Sequence, residues 1–256
     1  MKIICLTEES VETLYLLGKE DLITGVSSFV KRPIEARELP KVSLFTSSNI
    51  EKIVAMKPDL VLGFSDIQKD IAKELIGLGI DVWISNHRSI EGILKYIQRL
   101  GYMIGAHTKT DELLKSLSDK IHEAQSFASK LEKKPRVYFE EWDDPMISNI
   151  GWVSDLVELC GGVDINKEHS RGILAKERFV DSQEIIRKNP DIIFASWCGK
   201  KANLSSIKSR EGWSAINAIK KNQVFELSSD IFLQPGPAPI VDGIDILKEC
   251  FSKWQS

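Results

Sequence analysis

The chain contains 256 residues, of which 43% are hydrophobic and 28% charged, and its net charge is -3. This balance is typical of a globular protein with one large domain or two of ordinary size, and it excludes a disordered chain. Acidic and basic residues are interleaved, which excludes the clustered basic face that nucleic acids require. No run approaches the ~20 apolar residues of a membrane-spanning helix.

The amino terminus and the cysteines bear on the cellular location. Residues 1–6 form an apolar stretch that is too short for a secretory signal, and no small-residue cleavage site follows it. The four cysteines are scattered without a CxxC pair, which is typical of thiols in a reducing compartment. As written, the sequence predicts a cytoplasmic protein, and a periplasmic or surface-anchored one if a leader has been removed.

The first part of the chain predicts strands that alternate with helices. A strand at 2–6 leads through an acidic turn into a helix that ends near Gly18. A helix at 49–56 stops at Pro58, and the continuous apolar run 60–64 that follows is typical of a buried parallel strand. A further strand is predicted at 81–84.

The segment 108–134 contains neither Gly nor Pro and predicts one long helix. Leu113, Leu117 and Ile121 recur at helical spacing. A helix of about 25 residues is roughly 38 Å long, enough to run along two lobes as a spine. An ordinary surface helix is the alternative.

The second part of the chain repeats the order of the first. A strand at 136–139, an acidic turn and a helix ending at 161–162 come first. A helix at 182–188 then stops at Pro190 before the apolar run 192–197, and a last strand is predicted at 223–227. The sequence thus predicts an α/β fold of two lobes, each with a mainly parallel sheet flanked by helices, joined by one long helix. The predicted domains are 1–107, the connecting helix 108–134, and 135–256.

Ligands of open parallel sheets collect outside the carboxyl ends of the strands, so two such lobes predict a cleft there. Aromatic residues follow several predicted strands, where a core does not usually place them. The candidate ligand-binding residues at these strand ends are Phe29, Phe45, Phe64, Ser65, Trp142, Trp197, Cys198 and Phe232. His87 and Cys198 also follow strands and are candidate metal ligands, with ordinary packing as the alternative.

The order and spacing of five short segments resemble the class III periplasmic binding proteins, which serve cobalamin and iron-siderophore uptake by ABC transporters. The segments are 25–28, 49–61, 78–80, 157–162 and 189–193. Further segments at 142–146, 151–152, 197–199, 235–237 and 241–243 are similar to a leaderless cobalamin-binding branch. The resemblance implies limited hinge motion, a corrinoid ligand such as cobalamin, no required cofactor, and an ABC importer as partner. It adds Met146 and Trp152 to the candidate ligand-binding residues, although Trp152 opens a predicted helix and packing on the sheet is the alternative.

The sequence departs from that family at the ligand positions. Trp commonly stands in cobalamin-binding members where this chain has Phe45, Phe64 and Ile231, and Phe stands where it has Met146. The resemblance therefore implies a less aromatic pocket or a different ligand.

A second departure concerns the transporter. Docking in the family uses one Glu on each lobe; Asp70 matches the first, but Leu233 occupies the place of the second. The missing carboxylate argues against ordinary delivery to an importer.

Three alternatives to a corrinoid binder are open. One is a siderophore or haem binder of the same fold. Another is an enzyme that uses the acidic segment 140–144 for acid/base chemistry, although no catalytic motif is present: Gly63-Phe64-Ser65 resembles a nucleophile elbow, but Ile67 stands where its second Gly belongs. The third is a sensor module that reports ligand occupancy to a partner. The sequence favours a non-catalytic binding protein.

Overall fold

A computed structural model describes residues 1–255. The chain separates into two compact units. Unit 1 comprises Met1–His87, Glu91–Ser116 and Pro235–Pro237, and unit 2 comprises Arg88–Ile90, Leu117–Gln234 and the chain from Ala238 onward. The predicted boundaries 1–107, 108–134 and 135–256 stay a prediction.

Unit 1 contains a five-stranded parallel sheet. Its strands are β1 (Ile3–Cys5), β2 (Ile23–Ser27), β3 (Lys41–Ser43), β4 (Leu60–Phe64) and β5 (Val82–Ser85). They lie in the order β3-β2-β1-β4-β5, and every pair is parallel. The central β1 and β4 are buried along their whole lengths, as their continuous apolar runs predict.

Three helices of the first half lie between these strands in the chain, and two more follow β5. They are α1 (Glu8–Leu16), α2 (Ile50–Ala55), α3 (Lys69–Gly77), α4 (Ile90–Met103) and α5 (His107–Ser129). The last has 23 residues and passes from unit 1 into unit 2 between Ser116 and Leu117. It ends five residues before the predicted limit at 134, where Pro135 disfavours helical backbone at the residue before it.

Unit 2 contains a second five-stranded sheet, which is mixed. Its strands are β6 (Arg136–Asp143), β7 (Met146–Ser148), β8 (Val163–Asp164), β9 (Ile192–Ala195) and β10 (Val224–Glu226). The order is β10-β9-β6-β7, with β8 also paired to β6. Only the β6–β7 hairpin is antiparallel among the strand pairs of residues 1–255. The predicted acidic turn after residue 139 is wrong, because β6 continues through it to Asp143 and pairs there with β7.

The helices of unit 2 flank this sheet. They are α6 (Gly151–Leu159), α7 (Ser182–Lys188), α8 (Leu204–Lys208), α9 (Asn217–Lys220), α10 (Ser229–Phe232) and α11 (Ile244–Gln255). The predicted fold class, two mainly parallel sheets flanked by helices, is confirmed. Every helix within residues 1–255 is too short or too polar to span a lipid bilayer.

The internal repeat is visible at the strand entries of both units. Lys57 and Asn189 adopt left-handed backbone, with φ of 50° and 45°, and each directly precedes a proline that ends the helical segment. The aspartate after each proline then pairs with the first strand of its own sheet. Asp59 Oδ2 accepts from the backbone N of Lys2 at 2.6 Å, and Asp191 Oδ2 accepts from that of Arg136 at 3.0 Å.

Candidate functional site

The sheet order of unit 1 reverses between β1 and β4, and such a reversal opens a crevice at the carboxyl ends of the strands. Ser65 lies there, directly after β4. Its φ of 62° is unusual for a residue with a side chain, and its buried hydroxyl accepts from the backbone N of Ile67 at 3.3 Å. Ser65 therefore turns the chain out of the sheet and caps the next helical turn.

Phe29 and Phe45 follow the neighbouring strands β2 and β3 and are accessible. Their exposed fractions are 45% and 39%, and Leu44 beside them is also exposed. Nearly half of the Phe29 side chain and more than a third of Phe45 thus remain in contact with water. Ligand binding by these two rings stays a prediction.

Phe64, the last residue of β4, is buried instead. Its ring meets that of His87 edge to face, with centroids 5.3 Å apart, and His87 stacks on Tyr96 at 4.9 Å. His87 Nε2 also lies 2.6 Å from the carbonyl oxygen of Pro235. Phe64 and His87 thus belong to an aromatic stack inside unit 1, and the alternative of ordinary packing fits His87 better than metal binding.

In unit 2, the ends of β6 and β9 bring Trp142 and Trp197 together. Trp142 is half-buried, and its Nε1 donates to the carbonyl oxygen of Asp144 at 3.0 Å. Trp197 is buried, and its Nε1 donates to Glu140 at 3.2 Å. The ammonium of Lys200 lies 4.0 Å from the ring centroid of Trp142 and 4.7 Å from that of Trp197.

Two other candidates are core residues of unit 2. Trp152 and Phe232 are both buried, and Trp152 Nε1 donates to the carbonyl oxygen of Phe232 at 2.9 Å. Phe232 also packs on Phe139, with ring centroids 6.1 Å apart. This packing joins α6 to α10, and ligand contact by these two residues stays a prediction. Met146, at the start of β7, is partly buried against the unit 2 core, and Cys198 is exposed in the loop after β9.

The carboxylates of the acidic segment are held by cations. Glu140 is fully buried and accepts from the Tyr138 hydroxyl and from Arg210, each at 3.0 Å. Glu141 pairs with the buried guanidinium of Arg178. These ion pairs fix β6 to distant parts of unit 2, which is a structural use of the charges.

Asp143 is the third paired carboxylate, 2.7 Å from Lys200. Burial raises the pKa of Asp143, but hydrogen bonds from Lys200 and from the backbone outweigh it, so the pKa is lowered overall. A carboxylate with a lowered pKa is not a general acid at neutral pH, and its ion pair with Lys200 is a structural use of the charge like those of Glu140 and Glu141. Among residues 1–255, no group of three or more His, Cys, Asp or Glu side chains is arranged to hold a metal ion.

Two features of the structure were not predicted from the sequence: the contact of the Lys200 ammonium with the two tryptophan rings, and a groove in unit 1. The groove has a volume of about 740 Å³. Its polar lining includes Ser28, Ser43, Ser47, Ser48 and Asn49. Ser28 in this lining directly precedes Phe29 in the chain. The neighbours of Ser28 in the groove come from other segments, so the sequence alone does not reveal the groove. The predicted cleft between two lobes stays a prediction.

Known proteins resemble this chain over nearly its whole length. A family model described as periplasmic binding protein matches residues 3–231. An uncharacterized ABC transporter substrate-binding lipoprotein of Bacillus subtilis, YvrC, is 30% identical over 97% of this chain and 79% of that protein. The vitamin B12-binding protein of Vibrio parahaemolyticus is 26% identical over 92% of this chain and 84% of that protein.

A solved structure shows the same fold. The periplasmic heme-binding protein RhuT of Roseiflexus sp. RS-1 superposes with a TM-score of 0.86 at 17% identity, covering 100% of this chain and 99% of that one. The predicted cytoplasmic location has no support among these relatives, one of which is a lipoprotein. The resemblance to class III binding proteins is confirmed, and the chain belongs to the periplasmic binding protein family.

Proposed function

We propose that this chain is the substrate-binding protein of an ABC importer and that it binds a corrinoid, with cobalamin as the first candidate. The observation that carries the proposal is the set of aromatic faces at strand ends. Phe29 and Phe45 supply them in unit 1, and Trp142 supplies one in unit 2. The vitamin B12-binding relatives support the choice of ligand.

The exposed surface of these rings supplies part of the binding energy. A fully covered aromatic side chain removes about 150–250 Å² from water, or about 4–6 kcal/mol at ~25 cal/mol/Å² before the cost of association. Micromolar binding needs about 8 kcal/mol net. Because Phe29 and Phe45 are 45% and 39% exposed and Trp142 is partly buried, covering the three rings supplies about 4–7 kcal/mol before the cost of association. The apolar surface of the ligand itself and its polar contacts supply the rest.

A haem or ferric siderophore is the second candidate. The fold likeness to a heme-binding protein favours it, as does a cation at the tryptophan pair. Phe45, Phe64 and Ile231, where cobalamin binders commonly have Trp, also favour a ligand other than cobalamin.

An importer and a location outside the cytoplasmic membrane follow from the relatives' names. Asp70 lies exposed on α3, in a position to meet a partner, while Leu233 at the end of α10 offers no charge. Docking in this chain thus depends on Asp70 and on contacts other than a second carboxylate.

Calorimetric titration with cyanocobalamin, haem and a ferric siderophore tests the proposal. We expect cyanocobalamin to bind with micromolar affinity or tighter, and the double variant Phe29→Ala/Phe45→Ala to weaken binding at least tenfold. Tyr102→Ala is the matched control, because Tyr102 is an equally accessible aromatic on α4, 43% exposed. If only cyanocobalamin gives no heat of binding, the ligand is the second candidate and not a corrinoid. If none of the three ligands gives heat, the proposal is refuted.

A further inference from the structure

Lys200 occupies the faces of two candidate ligand-binding tryptophans. Its ammonium lies 4.0 Å and 4.7 Å from the ring centroids of Trp142 and Trp197, and 2.7 Å from Oδ1 of Asp143. The face of an indole is the best aromatic site for a cation. The protein therefore fills this site with a cation of its own.

The surroundings hold that cation in a defined place. Trp197 is fixed by its hydrogen bond to the buried Glu140, and Trp142 by its bond to the Asp144 carbonyl. Gly199, with φ of 75°, turns the loop directly before Lys200. An ammonium on a flexible four-carbon stem is thus anchored by two rings and one carboxylate.

The ammonium still has capacity for a ligand. An ammonium has three N–H donors, of which Asp143 accepts one, and the Lys200 side chain is 41% exposed. A ligand that contacts the part of Trp142 left accessible beside Lys200 comes within reach of these donors. Its acidic oxygens gain a charge-assisted hydrogen bond, whereas its cationic groups meet a like charge on the ring faces that they would otherwise bind.

We propose that Lys200 is a specificity-determining residue that binds a carboxylate or phosphate at the rim of a flat ligand lying against Trp142. The inference rests on the proposed function and specifies in addition that the ligand carries a negative charge at its rim. Two sources supply such an oxygen: the propionates of a porphyrin and the nucleotide phosphate of cobalamin. Asp143 is a positioning residue, since it holds the ammonium beside the rings.

The test compares ligands that carry these acidic oxygens with related ligands that lack them. Calorimetry measures wild type, Lys200→Met and Lys200→Arg with cyanocobalamin, with dicyanocobinamide (which lacks the nucleotide phosphate), with haem and with haem dimethyl ester. We expect Lys200→Met to weaken binding of the acid-bearing member of the bound pair about tenfold, the usual order for a hydrogen bond to a charged group. For the member of the pair that lacks the acid, the affinities of Lys200→Met and wild type are expected to agree within about twofold, a difference below 0.5 kcal/mol by the same conversion.

The controls separate charge from packing. Lys200→Arg keeps the charge and is expected to retain most of the affinity, and Lys201→Met removes the neighbouring charge in the same loop without effect. Equal weakening of both members of a pair by Lys200→Met, or no weakening of either, overturns the inference while leaving the proposed function intact. Failure of wild type to bind any of the four ligands overturns the inference, and failure to bind a ferric siderophore as well overturns the proposed function.

Discussion

Glu140 in unit 2 and Glu9 in unit 1 are both buried close to the first strand of their sheets, and they are stabilised in different ways. Glu140 in unit 2 is paired with Arg210 and also accepts from Tyr138 and Trp197. Glu9 in unit 1 accepts a hydrogen bond of 2.6 Å from the Thr7 hydroxyl, and burial raises its pKa to about 7. Glu140 is thus paired with a cation, whereas burial favours the neutral form of Glu9.

The comparison predicts the largest effect at Arg210. Arg210→Met leaves Glu140 buried without its cation, and breaking a buried pair in this way costs about 3–5 kcal/mol. Denaturant unfolding followed by circular dichroism measures the loss. The double variant Glu140→Gln/Arg210→Met is expected to recover much of it, since no charge is then stranded. A loss below about 1 kcal/mol for the single variant contradicts a structural role for this pair.

The next effect is a pH dependence that comes from unit 1. The folded pKa of Glu9, about 7, lies above the ordinary value of 4.5, so the folded chain binds an extra proton between these two pH values. The contribution of Glu9 to stability is complete below about pH 4.5 and is lost as the pH rises to about 7, a loss of about 3 kcal/mol.

Glu9→Gln removes this dependence. The neighbouring Cys5 thiol, whose pKa burial raises to about 12, and the Tyr96 hydroxyl, whose pKa burial also raises, stay uncharged over the same range. Unfolding free energies of wild type and variant at pH 5 and pH 8 are compared. Parallel pH profiles for the two proteins rule out Glu9 as the titrating group.

A smaller effect is expected where Gly236 packs on Glu9. A Cβ at Gly236 would lie 2.6 Å from the Glu9 Cβ, so Gly236→Ala forces a local shift that costs about 1–3 kcal/mol. Gly77→Ala on α3 is the matched control, because a Cβ there meets nothing within 4 Å and a helix favours Ala over Gly. Thermal unfolding distinguishes them, and an equal shift in Tm for both variants argues against the close contact.

The smallest effects test the likeness of the units. Asp59 and Asp191 make the same hydrogen bond to the first strand of their own sheets. Asp59→Ala and Asp191→Ala are each expected to cost about 1 kcal/mol, the usual value for one such bond. If the losses of unfolding free energy in the two variants differ by more than about 1 kcal/mol, the two hydrogen bonds do not contribute equally to stability. The repeat is then present in the sequence but not in the energetics.

The residues that sequence reasoning placed correctly are those whose constraints are local. Helix, proline, aspartate and apolar run are consecutive at 49–64 and again at 182–195, so both βα units could be predicted. The site depends on partners far apart in the chain. Lys200 meets Trp142 only because β6 and β9 are neighbours, and Arg210 lies 70 residues from Glu140.

The sequence also did not indicate which of the aromatic candidates are buried and which are exposed. Phe29 follows a strand and Trp152 opens a predicted helix, yet the first is exposed and the second is buried. Trp152 Nε1 donates to the carbonyl oxygen of Phe232, 80 residues away in the chain, and local sequence does not reveal such a contact. The turn residues Asp144 and Pro145 join β6 to β7 and place Trp142 in a strand, where the sequence indicated an acidic turn.

The most direct test of the account is equilibrium dialysis of cyanocobalamin against wild type and Trp142→Ala, with retained ligand measured by its absorbance. We expect one equivalent of ligand on the wild type at micromolar concentrations and at least tenfold weaker retention by the variant, whose ring face is lost. Equal retention by both proteins contradicts the role of Trp142, and no retention by the wild type contradicts a corrinoid ligand.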